Sequence, residues 1–164
     1  SKIIIGRVQG KAVGGGVGLA AACDYCFATE QASIKLSELT IGIGPFVIEP
    51  VVTRKIGIAA FSELSLDAAN WQTAYWAKEK GLYFKVFETI RELDDEIDVF
   101  TKNLASYNPK ALSEMKKVLW QNTDNWKTLL TERARISGEL VLSDFTKKHG
   151  KGKPVFLIVG ITSP

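Results

Sequence analysis

Apolar positions change their period part-way along the chain. From Ile3 to Leu36 they come in short runs broken by glycines or polar residues, and from Pro50 they recur every three or four positions. The first pattern belongs to buried strands and the second to amphipathic helices. Residues 3–8 (IIIGRV) predict a buried strand from their β-branched run. Gly16 to Cys23 (GVGLAAAC) predicts a short helix of small, closely packing residues, and Asp24–Ala28 and Ser33–Leu36 predict two further strand pieces. The stretch Gly42–Pro45 reads as a turn from its Gly and Pro content.

Beyond Pro50 the elements are helical. Pro50 suits a first helical position and Gly57 a stop, bracketing VVTRKI; a second short helix covers Ala59–Leu64. Asp67 is placed to cap a third helix running to Lys80 and closed by Gly81. Leu82–Phe87 (LYFKVF) predicts a brief strand. Leu93, Ile97, Phe100 and Leu104 mark a helix of about four turns. Asn108-Pro109 opens another, with Leu112, Met115 and Leu119 expected inward, and the last carries Trp126, Leu129, Ile136 and Leu140 on one side. An apolar tail, Val155–Ile161, follows a Gly/Lys-rich hinge. Strands first and helices after predict an α/β chain.

Composition narrows the function classes. At 164 residues the chain supports one domain with a substantial core, and 46% hydrophobic against 24% charged residues is ordinary globular usage. A formal charge of +3 suits an anionic ligand, but without the Lys/Arg runs of a nucleic-acid binder. The apolar stretches are too short for a membrane span, so neither nucleic acid nor membrane is an expected partner. Cys23 and Cys26 form a C-x-x-C spacing; a zinc site needs more ligands, and the one histidine, His149, has no companion, so no metal is expected. A redox pair and two small buried thiols in a reducing cytoplasm are both compatible with that spacing. The strand that opens almost at Ser1 suggests that a structural layer precedes it.

The chemistry concentrates between Val8 and Pro45. Gly14, Gly15 and Gly16 leave backbone amides open to a ligand, because no Cβ blocks the approach. Glu38 follows a strand in otherwise apolar company. Bare amides and a lone carboxylate suggest an oxyanion site served by one general acid/base. A dinucleotide fold is the first reading to test, because Gly16-Val17-Gly18-Leu19-Ala20-Ala21 matches G-x-G-x-x-A and an acid follows about 20 residues on. It fails on context: Gly10 to Gly15 intrude between strand and fingerprint, and one short strand beyond residue 50 is too few for a doubly wound sheet.

The strings VQGKAVGGG (8–16), AAACD (20–24), LSELTIGIGP (36–45) and RKIG (54–57), in this order and spacing, resemble the enoyl-CoA hydratase/isomerase (crotonase) superfamily. The run LSELTIGIGPFVIEP (36–50) is similar to bacterial methylglutaconyl-CoA hydratase-like members. The resemblance covers the chain to about residue 146 and implies a crotonase-type β-β-α superhelix followed by a C-terminal helical region. Residues 1–66 would be the later part of the core, 67–146 a helical oligomerisation region and 147–164 an atypical tail. The family's earlier part, with a second oxyanion donor, is not in this chain, so residues 1–164 alone are not expected to turn over substrate.

The resemblance implies an acyl-CoA thioester substrate, with coenzyme A part of the substrate and no separate cofactor, and a homo-oligomer, either a trimer or a dimer of trimers. It makes Gly15 the amide that donates to the thioester oxygen and Glu38 the acid/base at the α-carbon. Gly14, Gly16, Gly18, Pro45 and Phe46 would touch substrate, and Lys116 and Lys117 would meet CoA phosphates. The family's first catalytic glutamate falls at Gly18. One acid suffices to move a proton between carbons, which suggests Δ3,Δ2-enoyl-CoA isomerisation. The methylglutaconyl-type string makes syn-hydration of a 2-enoyl-CoA the leading reading, with Glu38 activating water and returning a proton to the α-carbon; isomerisation is the alternative, and a non-catalytic crotonase-fold thioester binder is the third reading. Structural roles stand beside these: the glycines could serve helix–strand packing, Glu38 could be a surface acid, and Asp24 could form a structural pair. Glu49 could enter the pocket or cap a helix; Phe46, Trp71 and Trp76 could line an acyl pocket or the core; Lys116 and Lys117 could form a solvated helix face.

Overall fold

A computed structural model describes residues 2–149. Three parallel strands make the main sheet: β1 (Ile5–Val8), β3 (Tyr25–Thr29) and β5 (Lys85–Phe87), in the order β1-β3-β5. Ile5 pairs with Tyr25 and Val8 with Ala28, and Phe27 with Lys85. Parallel strands need a crossover, and α1 (Gly15–Ala22) supplies the first. Its glycines and alanines let it lie close on the strands, with Val17 and Ala21 fully buried. A second parallel pair, β2 (Ala12–Val13) and β4 (Ile34–Lys35), carries the chain into and out of the site region. β2 is invisible to periodicity: two residues in a glycine-rich run become a strand only through a partner far along the chain.

After the turn, α2 (Glu49–Leu66) is two helical runs meeting at Gly57, whose φ of 79° and ψ of 159° belong to a region essentially reserved for glycine. The sequence reading of two helices is thus right about the break, although the second run follows without a gap. The expected helix from Asp67 to Lys80 is not formed. Asp67 instead ends α2, its N–H reaching the Glu63 carbonyl. The next residues are drawn into an antiparallel bridge, with Ile34 and Gln72 exchanging N–H to carbonyl bonds of 2.9 Å. The helix α3 (Ala74–Glu79) starts only where Thr73 accepts from the Trp76 N–H. Leu82 and Tyr83, expected at the start of a strand, are fully buried and bonded back to the Ala77 carbonyl, so β5 is shorter than its apolar run.

The long helix α4 (Ile90–Ser106) begins with a capping box between Thr89 and Glu92. Phe100 settles among Tyr25 (4.5 Å) and Phe27 (5.2 Å), and Arg7 pairs with Asp94 at 2.5 Å. These contacts lay α4 across the sheet. Then come α5 (Pro109–Leu119), capped by Asn108, α6 (Trp126–Val141) and α7 (Asp144–His149). On α6 the expected side (Trp126, Leu129, Ile136, Leu140) is half-buried. On α5 the expected inward set is corrected. Met115 and Leu119 are 53% and 44% exposed, and the inward side carries Leu112, Lys116 and Trp120. The reason is a buried acid, Asp24, which draws polar groups inward. The apolar run Val155–Ile161 lies outside the described residues. No helix among those described is long and apolar enough to cross a membrane.

Candidate active site

The site forms where β2 and β4 end side by side. Gly14 donates to the Lys35 carbonyl at 3.0 Å, so the strand pairing ends where α1 begins. Gly14 has φ 52° and ψ −116°, which an L side chain rarely adopts, and this lets the chain swing straight from strand to helix. Gly15 and Gly16 then open α1, and the first amides of a helix have no partner within it. These amides and the helix dipole favour negative charge at this end.

From the β4 side, Leu36 is buried and the chain tightens into a 3₁₀ turn, Glu38–Ile41. Gly42, at φ 86°, closes the turn by donating to the Glu38 and Leu39 carbonyls. Glu38 consequently points back at α1: a Cβ on Gly14 would stand 2.8 Å from Glu38 Oε1. The other carboxylate oxygen, Oε2, is buried and has no hydrogen-bond partner among the described residues. Burial pushes the Glu38 carboxyl above the ordinary glutamate range, against a smaller opposing effect from its own backbone amide. Once ionised, a carboxyl raised in this way is a stronger base than an ordinary glutamate.

One turn further along α1 the surroundings are apolar. Gly18 is buried, and a Cβ there would meet Ile48 Cγ2 at 2.5 Å and Ile48 Cβ at 3.0 Å. Position 18 is therefore filled from outside by Ile48, which no sequence signal revealed. Glu49, beside it, turns elsewhere. It accepts from the Thr53 hydroxyl at 2.9 Å and faces Arg133 at 3.6 Å. Pro45 is buried, and the Phe46 ring folds over Gly44, with Cε1 2.6 Å from where a Cβ would be.

The sequence-predicted residues thus separate into groups. Gly14, Gly15 and Glu38 are brought together at the start of α1. Lys116 is not free at a surface: its Nζ donates to both Asp24 oxygens at 2.5 and 2.7 Å. Lys117 pairs with Glu114 at 2.8 Å on the exposed side of α5. Trp76 donates to Glu63, and Trp71 lies 4.8 Å from the Lys11 ammonium. The two cysteine sulfurs flank Gly6, and burial raises both thiols, Cys26 to about 12, which keeps them protonated. No group of three or more His, Cys, Asp or Glu side chains able to hold a metal occurs among the described residues.

The model of the enoyl-CoA hydratase/isomerase family matches residues 1–156. The chain belongs to this family. It is 30% identical over 127 residues to the peroxisomal Delta(3,5)-Delta(2,4)-dienoyl-CoA isomerase of Arabidopsis thaliana, a match covering 75% of this chain and 44% of the relative. It is 32% identical over 125 residues to the 2,3-dehydroadipyl-CoA hydratase of Escherichia coli, covering 76% of this chain and 48% of the relative. The crystal structure of an enoyl-CoA hydratase from Bacillus halodurans superposes with a TM-score of 0.82 at 24% identity, over 90% of this chain and 59% of that one; at that identity the likeness shows the fold alone. The chain spans about half the length of the curated relatives it matches. Among such relatives are both a hydratase and an isomerase, so family membership leaves the reaction to be argued from the site.

Proposed function

We propose that the chain carries the proton-transfer half of a site acting on an enoyl-CoA thioester, with Glu38 as its acid/base. One observation carries this: a buried carboxylate oxygen without a hydrogen-bond partner among the described residues, set against the glycine start of a helix. A structural acid in that position would be expected to have acquired donors. The Gly15 amide would face the thioester oxygen, where negative charge gathers as the α-carbon loses its proton. A preorganised donor of this kind is worth about 10²–10³ in rate, and a positioned acid/base about 10²–10⁴.

The contact between Ile48 and Gly18 favours a reaction that needs one acid. In Δ3,Δ2-enoyl-CoA isomerisation, Glu38 takes a proton from C2 of the 3-enoyl thioester. The electron pair spreads to the thioester oxygen, and the same proton returns at C4 as the double bond shifts to C2. Hydration of a 2-enoyl-CoA is the second reading, supported by the hydratase relative; there Glu38 would both activate water and return a proton to C2. Purified full-length protein is offered 3-enoyl-CoA and 2-enoyl-CoA separately. Gain of conjugated-thioester absorbance from the first supports isomerisation, and its loss from the second with 3-hydroxyacyl-CoA formation supports hydration. Glu38→Gln should lower either turnover by about 10²-fold or more while thioester binding persists. Unchanged turnover in that variant removes Glu38 from the mechanism.

A further inference from the structure

The carboxylate of Glu38 has a free oxygen, so its position depends on the backbone turn that carries it. That turn packs lightly: none of its residues is fully buried, Leu39 is 43% exposed, and Ser37 provides no side-chain cap. Its start is closed by Thr40, whose N–H and hydroxyl both donate to the Ser37 carbonyl. Its far end is closed by the Gly42 and Ile43 amides, both of which donate to the Glu38 carbonyl. A distant element reaches this same point. The Thr146 hydroxyl of α7 donates to the Gly42 carbonyl at 3.4 Å. A Cβ on Gly42 would stand 2.6 Å from Thr146 Oγ1 and 2.8 Å from Phe145 Cδ1. α7 is itself fixed at its start, where Ser143 Oγ accepts from the Thr146 N–H at 3.3 Å. Gly42 is therefore held twice, by the left-handed backbone that closes the turn and by a helix 104 residues away.

We infer that Phe145 and Thr146 are positioning residues for Glu38: α7 straps the Gly42 peptide, and through it sets where the carboxylate lies against Gly14. The inference takes its functional meaning from the acid/base reading of Glu38, but its test reads the position and solvation of the carboxyl directly. The Glu38 carboxyl is titrated by carbon-detected NMR in the whole chain, and amide hydrogen exchange is followed at Gly42 and Ile43. In Phe145→Ala and Thr146→Val, exchange at these amides should rise by about tenfold or more through local opening. The Glu38 titration should move down toward the ordinary glutamate range as water enters. Amides of α1 and β3 should keep their protection, and Thr146→Ser should behave like the parent. Should Phe145→Ala prove poorly folded, Phe145→Leu and Thr146→Val carry the same readout. An unaltered Glu38 titration with unaltered exchange at Gly42 and Ile43 overturns the strap. That result would leave the acid/base role untouched, because Glu38→Gln turnover tests it independently.

Discussion

Asp24 and Glu38 are both drawn out of water, and their surroundings are opposite. Asp24, at the junction of α1 and β3, is met by four hydrogen bonds: the Ile4 N–H, the Trp120 indole, and Lys116 on both oxygens. Burial works to raise its pKa, but the bonds from Lys116, Trp120 and Ile4, with the Lys116 charge, outweigh it and hold the carboxyl below the usual range. Glu38 has an oxygen with no partner among the described residues and a glycine in front of it, and its pKa goes the other way. Asp24, which joins elements, is saturated with donors, whereas Glu38, the proposed acid/base, keeps unused acceptor capacity. Burial alone does not distinguish them; partner count does.

The largest expected effect breaks the first half of that contrast. Asp24→Ala leaves the Lys116 ammonium buried without its counter-charge, and the loss should be about 3–5 kcal/mol by urea unfolding. Exchange protection should fall first in α5. The acid side follows from linkage. A depressed carboxyl adds stability above the ordinary aspartate pKa of about 3.9, and that stability is lost as pH falls through its lower folded value. Asp24→Asn should therefore flatten the stability curve on the acid side; a curve parallel to the parent's would deny the pair its role.

Next come Gly14, which leaves room for Glu38, and Gly18, which leaves room for Ile48. Gly14→Ala combines an unfavourable backbone region with a methyl group pressed on Glu38 Oε1, at a cost of about 1–3 kcal/mol. The Glu38 titration should shift with it, and an unmoved titration would show that the carboxylate does not lean on Gly14. Gly18→Ala meets Ile48 and should cost about 1 kcal/mol, a loss relieved in an Ile48→Ala background. Additive losses in the double variant would mean that position 18 is not shaped by Ile48.

The smallest effect has the opposite sign. A raised carboxyl keeps its proton in the folded state where the unfolded chain has released it, so stability falls as pH rises through that window. Glu38→Gln removes this penalty, and its melting temperature at neutral pH should be slightly above the parent's. A lower value would mean that Glu38 makes a stabilising contact after all.

How much of this could be read from the chain alone follows the range of each signal. β1, α1, β3 and the glycine run before α1 are local signals, and residue order is enough to find them. The inward face of α5 was misjudged at Met115 and Leu119 because hydrophobic spacing assumes an apolar partner, whereas the partner is Asp24. Asp67 looked like an N-cap because Asp serves there often, but residue 72 is bonded to Ile34 and the helix waits until Thr73. Ile48 over Gly18, and α7 against Gly42, are contacts between segments whose sequences carry no mark of each other.

The central strand has a kinetic consequence. β3 pairs on one side with β1, just before it in the chain, and on the other with β5, reached only after α2, the Gln72 bridge and α3. Closing the first pair is a short-loop event, and closing the second must wait for a long stretch of chain to compact. The sheet should therefore form in two stages, β1-β3 with α1 early and β5 late. Until β5 arrives, one edge of β3, including Phe27, is open to strand pairing from another molecule. Refolding yield should depend on protein concentration in that interval, even where the finished fold is stable.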